Sequence, residues 1–130
     1  MNRQTECGRS EAVNRIAVAE EYLLLAQLPD SGAAGASLNV SVGNAVLAGI
    51  AASDALCCLR LGRRSRDASH DSAVTLLAQV DRRLAQDLQV LLSLKDLAHY
   101  SEKYVNAERH RRALRCAERL VEAAKTALVT

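Results

Sequence analysis

The sequence predicts an all-α fold, an antiparallel up-and-down bundle of four to five helices. Apolar residues recur at helical spacing in several segments, and Ser, Asp and Asn stand where they can cap those segments. No stretch alternates at period two for long enough to form a strand. The size agrees: 130 residues, 49% of them hydrophobic and 25% charged, suit one core and are too few for two. A single domain is expected over 1–130, with its ordered core over about 10–127.

Each helix has its own signals. Ser10 is placed to cap the first, where Val13, Ile16, Ala19, Leu23 and Ala26 share a face, Leu24, Leu25 and Leu28 widen it, and Pro29-Asp30-Ser31-Gly32 ends it. A second helix starts near Ser37 and runs through Val42, Ala45, Val46, Gly49, Ala52, Ser53 and Leu56 to a Gly62 cap. Its Gly43, Ala45, Gly49 and Ala52 carry little bulk, so a neighbouring helix can approach closely. The dense polar run Arg63-Arg64-Ser65-Arg66-Asp67-Ala68-Ser69-His70 reads as a loop. Ser69 or Asp71 can cap a short helix holding Ala73, Val74, Leu77 and Val80, and Asp81 a fourth with Leu84, Leu88, Leu91, Leu92 and Leu94; the two can also be one bent helix. Asn106 caps the last, striped by Ala113, Leu114, Ala117, Leu120, Val121, Ala124 and Leu128.

Charge and cysteine usage narrow the function classes. Seventeen Lys+Arg against fifteen Asp+Glu leave a net charge of +2, so distribution, not total, must mark any nucleic-acid surface. Cys7, Cys57, Cys58 and Cys116 have no zinc-knuckle spacing, and Cys57 and Cys58 project about 100° apart on a helix, so all four read as small apolar residues of a reducing compartment. The longest uncharged stretch, Ser31 to Ser53, holds enough Gly, Ser and Asn to argue against a membrane span. The N-terminus lacks the basic-then-apolar order of an export signal, which makes the cytoplasm the expected location. There is no Gly-rich phosphate loop, no His-Glu metal motif and no Ser-His-Asp signal, so neither a metal nor a cofactor is expected.

Two stretches together resemble the HEPN family of small prokaryotic helical proteins. The first is Ala51-Ala52-Ser53-Asp54-Ala55-Leu56-Cys57, followed by Leu61-Gly62 and by Ser69-His70-Asp71-Ser72-Ala73-Val74. The second is Leu91-Leu92-Ser93-Leu94-Lys95-Asp96-Leu97-Ala98-His99-Tyr100, followed by Ala113, Ala117, Leu120 and Val121. The resemblance implies a helical bundle that often dimerises, of a kind found in ribonuclease toxins, defence systems and partners of minimal nucleotidyltransferases. It implies here a homodimer that serves as an interaction module or binds RNA or a nucleotide, in a toxin-antitoxin or defence setting, with a cognate antitoxin or a nucleotidyltransferase as partner. The alternative is a metal-independent endoribonuclease. Nuclease members carry an Arg, a gap of four to six residues and a His, a relation that Arg64, or Arg63 with a gap one residue longer, bears to His70. Those members usually have a small polar or acidic residue after the Arg, where this chain has Arg64 or Ser65.

The chemistry of that pair is clear. Imidazole near neutral pH can move the proton of a ribose 2′-hydroxyl or of the leaving oxygen, and guanidinium can hold a phosphate with a bidentate fork. Arg63, Arg66, Lys95 and His99 complete the candidate binding set. Each has a plain reading beside it. His70 can be a helix-start residue, Arg63, Arg64 and Arg66 a solvated cluster at a helix C-terminus, and His99-Tyr100 a unit packed against the last helix. The run Arg109-His110-Arg111-Arg112 with Arg115 and Arg119, interleaved with Glu108, Glu118 and Glu122, reads as an exposed face of i,i+4 pairs or as an extension of a phosphate-binding surface.

Overall fold

At the centre of the bundle lies one long helix, α2 (Ala36–Leu61), packed by α1 (Arg9–Ala26), α6 (Ala107–Val129) and the shorter α3 (His70–Ala78), α4 (Arg82–Ser93) and α5 (Lys95–His99). The computed structural model describes residues 3–29, 32–66 and 70–130, without the side chain of His70. The expected cap Ser69 and the Asp30-Ser31 part of the helix-ending turn therefore lie outside the described residues. Six helices appear among the described residues, one more than the upper expectation, because the short α5 is set off from α4 at Leu94.

From Ser41 to Leu59 α2 has no exposed residue, which is why that stretch is apolar on nearly every face. It is long and apolar enough to cross a membrane, with a mean hydropathy of 1.6 in its most apolar window, yet 72% of that window is buried inside the bundle. Its small residues work as expected. A Cβ on Gly49 would collide with Leu91 Cδ1 and stand 3.3 Å from Leu120 Cδ1, so this glycine admits α4 and α6 together. At the far end Gly62 takes a left-handed φ of 74° and closes the helix, the role its position predicts.

The caps of the later helices also follow the sequence. Asp81 Oδ1 accepts from the Leu84 amide at 3.0 Å, and Asn106 Oδ1 from the Arg109 amide at 2.8 Å. The first helix differs. It starts at Arg9, one residue before the expected cap Ser10, and Glu11 accepts from the Gly8 amide at 3.2 Å while Ser10 Oγ donates to Glu11. These bonds hold the Glu11 carboxyl below its ordinary range, the Ser10 hydroxyl foremost. Val13, expected inside, is exposed, because Ala12 occupies the buried position next to it.

A second departure is a two-stranded antiparallel ribbon, β1 (Gln4–Glu6) with β2 (Arg63–Ser65), where a loop was expected. Three-residue strands are too short to carry a period-two signal. A covalent bond stands beside the ribbon where the sequence pointed to free thiols: Cys7, just past β1, forms a disulfide with Cys58 of α2, with 5.1 Å between their Cα atoms. Their spacing of 51 residues carries no motif, and only the antiparallel return of the chain past Gly62 brings them together. Cys57 and Cys116 remain buried free thiols, with burial raising them to about 12 and about 11 respectively, which makes them inert.

Candidate functional site

The residues singled out in the sequence fall into two groups at opposite ends of α2. Gly43, near its start, lies under the His99 ring, and Gly62 at its end leads into the Arg63–Ser65 strand. Nineteen positions of helix separate them, about 28 Å at 1.5 Å per residue. Arg63, Arg64 and Arg66 therefore do not share a site with Lys95 and His99 within one protomer.

At the Gly62 end, Arg64 is engaged. Its Nη1 lies 3.3 Å from Asp54 Oδ2, and Arg15 Nη2 from α1 meets the same oxygen at 3.2 Å. Asp54 faces inward from α2, so burial lifts its carboxyl above the ordinary value against the partial pull of Arg15 and Arg64. Arg63 donates to the Leu61 carbonyl at 3.4 Å and to Gln79 Oε1 at 3.3 Å. Arg66 is exposed, and its amide donates to the Arg3 carbonyl at 2.9 Å. His70 opens α3, with its side chain outside the described residues.

At the other end, Lys95 begins α5 half-buried, and His99 ends it. A Cβ on Gly43 would stand 2.9 Å from His99 Cε1, so the ring packs on α2 and not on the last helix as expected. The reason is a tether that no sequence motif announces. Asn39 of α2 donates to the carbonyls of Leu97 at 3.4 Å and Lys103 at 3.1 Å and accepts from the Val105 amide at 2.8 Å, which ties α5 and its loop to α2. An Asn near the start of a largely apolar helix is the trace of this in the sequence.

His110 also departs from expectation. It is 8% exposed, turned into the core beside Arg109 and Arg111 on the exposed side. Ser41 Oγ donates to the Ala26 carbonyl, and His110 Nε2 stands 2.8 Å from the same Oγ. Since the hydroxyl proton is committed to the carbonyl, the ring must donate through Nε2, which assigns the tautomer from the bonding pattern. A serine whose proton points at a carbonyl, with an imidazole donating to it, has no base to activate it. The pair is a structural link between α1, α2 and α6. Burial, with Arg111 second, lowers the His110 pKa below its ordinary 6.5. The folded state thus resists protonation that the unfolded chain accepts, so stability is level above about pH 6.5 and falls as pH drops through the window below it. Urea unfolding at pH 7.5 and 5.5 checks this, and His110→Gln should flatten the difference.

A cavity of about 810 Å³ lies along the seam of α4 and α6 and reaches α5. Asp87 and Arg119 close its neighbouring stretch with a two-pronged pair at 2.7 and 2.9 Å, which joins the antiparallel helices. Beyond that pair the lining is Gln86, Gln89 and Ser93 on one side, Arg109 and Arg112 on the other, and Val90, Leu94 and Leu97 beneath. It holds no carboxylate, and neither arginine has an ion-pair partner among the described residues. Arg109 and Arg112 are both exposed and stand one turn apart, about 4.5 Å along the axis, which suits two guanidiniums gripping one phosphate. Sequence reasoning named the Arg109–Arg112 run but not its partners, because Gln86 and Gln89 gain meaning only when α4 lies across from it.

Outside that lining, Leu24, Leu25, Leu28 and Val40 stand exposed, Leu28 at 74% and Val40 at 65%. Leu25, Leu28 and Val40 line one shallow groove with Pro29 and Ala36. Comparison with known family models, curated proteins and solved structures gives no match.

Proposed function

We propose that the chain is a non-catalytic helical module that binds RNA or a nucleotide through the α4–α6 seam and works as a homodimer. The observation that carries this reading is the cavity between Gln86, Gln89 and the paired Arg109 and Arg112, cationic on one wall, amide-bearing on the other and free of acid. Guanidiniums neutralise phosphate, carboxamides offer both donor and acceptor to a base edge, and Val90, Leu94 and Leu97 give an apolar floor. Fluorescence anisotropy with a short labelled single-stranded RNA tests it. The reading expects binding that weakens with salt and an RNA that stays intact. Intact wild-type binding with loss of RNA over time, abolished by His70→Ala, would instead support the endoribonuclease alternative. The Arg64 contact with Asp54 argues against that alternative, because a guanidinium held by a carboxylate is less available to a phosphate.

The homodimer rests on the outer face of α1. A surface helix normally keeps one polar side, and this one places Leu24 and Leu25 outward as well as Ile16 and Ala19 inward, with Leu28 exposed just past its end. Multi-angle light scattering at micromolar concentration should give twice the chain mass, and Leu25→Glu with Leu28→Glu should give the monomer without loss of helix signal. A wild-type monomer would remove dimerisation from the proposal and leave the seam untouched.

A further inference from the structure

We infer that the Cys7–Cys58 disulfide is a redox-operated clasp that holds the N-terminal strand over the Asp54–Arg15–Arg64 cluster. β1 itself brings few side-chain anchors. Gln4 and Glu6 are exposed, Thr5 is half-buried with its Oγ1 unpartnered, and the strand brings no apolar side chain to the core. A two-stranded ribbon of three residues a side is marginal without a staple. Beyond the ladder itself, the Cys7 amide donates to the Gly62 carbonyl at 3.0 Å and the Arg66 amide to the Arg3 carbonyl at 2.9 Å.

What the clasp governs follows from the register. Thr5 stands opposite Arg64, whose guanidinium reaches Asp54 beside Arg15, and Arg15 Nε is itself buried without a partner. Lifting β1 removes the strand partner of Arg64 and opens this cluster to water. The oxidised chain is thus the closed form and the reduced chain the open one.

Access is one-sided. Cys58 is 3% exposed, whereas Cys7 is half-buried and borders a cavity of about 610 Å³ shared with Glu6, Glu11, Leu61, Gly62 and Arg63. A dithiol reductant would enter there. Its thiolate attacks Cys7 Sγ, the Cys7–Cys58 bond breaks, and Cys58 leaves and takes a proton. The second thiol of the reductant then attacks the mixed disulfide, Cys7 leaves as a thiol, and the reductant ends as a disulfide, with two electrons transferred. Cys57 does not supply the attack from within, since it projects to another face of α2 and burial keeps its thiol protonated.

Hydrogen exchange of the full chain, read by mass spectrometry with and without dithiothreitol at pH 7, tests the clasp. Free thiols should rise from two to four. Exchange in the segments 3–8 and 63–66 should then speed up by at least about tenfold while α2, α4 and α6 stay protected. Cys7→Ser should behave as the reduced chain without reductant, and Cys116→Ser as the oxidised one. Four free thiols with both segments still protected would overturn the proposal. So would a disulfide that resists the reductant, or loss of protection across the whole bundle at once.

Discussion

Replacing Cys7 by Ser is expected to lower the unfolding free energy by up to about 4 kcal/mol, the chain-entropy value for a cross-link of this span. The bond joins residues 51 apart, so without it the unfolded chain gains the freedom of a long loop. Release of β1 in the folded state recovers part of that loss, because the freed strand also regains disorder. Guanidinium unfolding of wild type, of wild type with dithiothreitol and of Cys7→Ser measures it. The last two should coincide, and reductant should leave Cys7→Ser unchanged.

Leu91→Ala is expected to cost about 2–5 kcal/mol, the range for truncating a fully buried leucine. This position also reports on how α2 and α4 meet, since Leu91 fills the space above Gly49. Gly49→Ala alone should destabilise, because its Cβ would displace the Leu91 side chain while Leu120 Cδ1 stands only 3.3 Å away. In the Leu91→Ala background the same change should stabilise, since the collision is gone and alanine favours helix over glycine by about 1 kcal/mol. Thermal melts of the four combinations give the coupling. Additive effects would mean that Gly49 is not where the two helices touch.

Much of the bundle was legible because its signals are local. Asp81 and Asn106 cap the helices they precede, Gly62 closes α2, and the stripe of Ala113, Ala117, Leu120, Val121 and Ala124 is buried on α6 as the period predicts. What was not legible depends on residues far apart in the chain. The disulfide needs Cys7 and Cys58 to meet through a ribbon too short for a pattern. His110 sits in a run of arginines and reads as surface, yet its helical phase turns it to Ser41. Asn39 is a polar residue whose three partners lie far along the chain, in α5 and the loop after it.

The candidate site divides in the same way. Arg64 was singled out for its distance in sequence from His70, a relation that takes no account of Asp54, ten positions earlier on the buried side of α2. The Arg109–Arg112 face reads two ways in the sequence, and the proposed phosphate-binding reading draws on the glutamines, not carboxylates, that α4 sets opposite it. Glu108, Glu118 and Glu122 lie outside that lining, and of them Glu122 does pair along α6, with Lys125 at 3.9 Å.

Binding of single-stranded RNA by wild type and by Arg109→Ala with Arg112→Ala, across a salt series, tests the account most directly. Each arginine that grips a phosphate should contribute about tenfold in affinity, as a charge-assisted hydrogen bond of about 1.5 kcal/mol does. The double variant should therefore bind about a hundredfold more weakly, with a salt slope shallower by about 0.7 for each phosphate left without its guanidinium. Its helix signal and melting temperature should match wild type, since both side chains are exposed. Equal affinity and equal salt slope in the two proteins, or no binding by wild type at low salt, would contradict the assignment of the α4–α6 seam as the binding site.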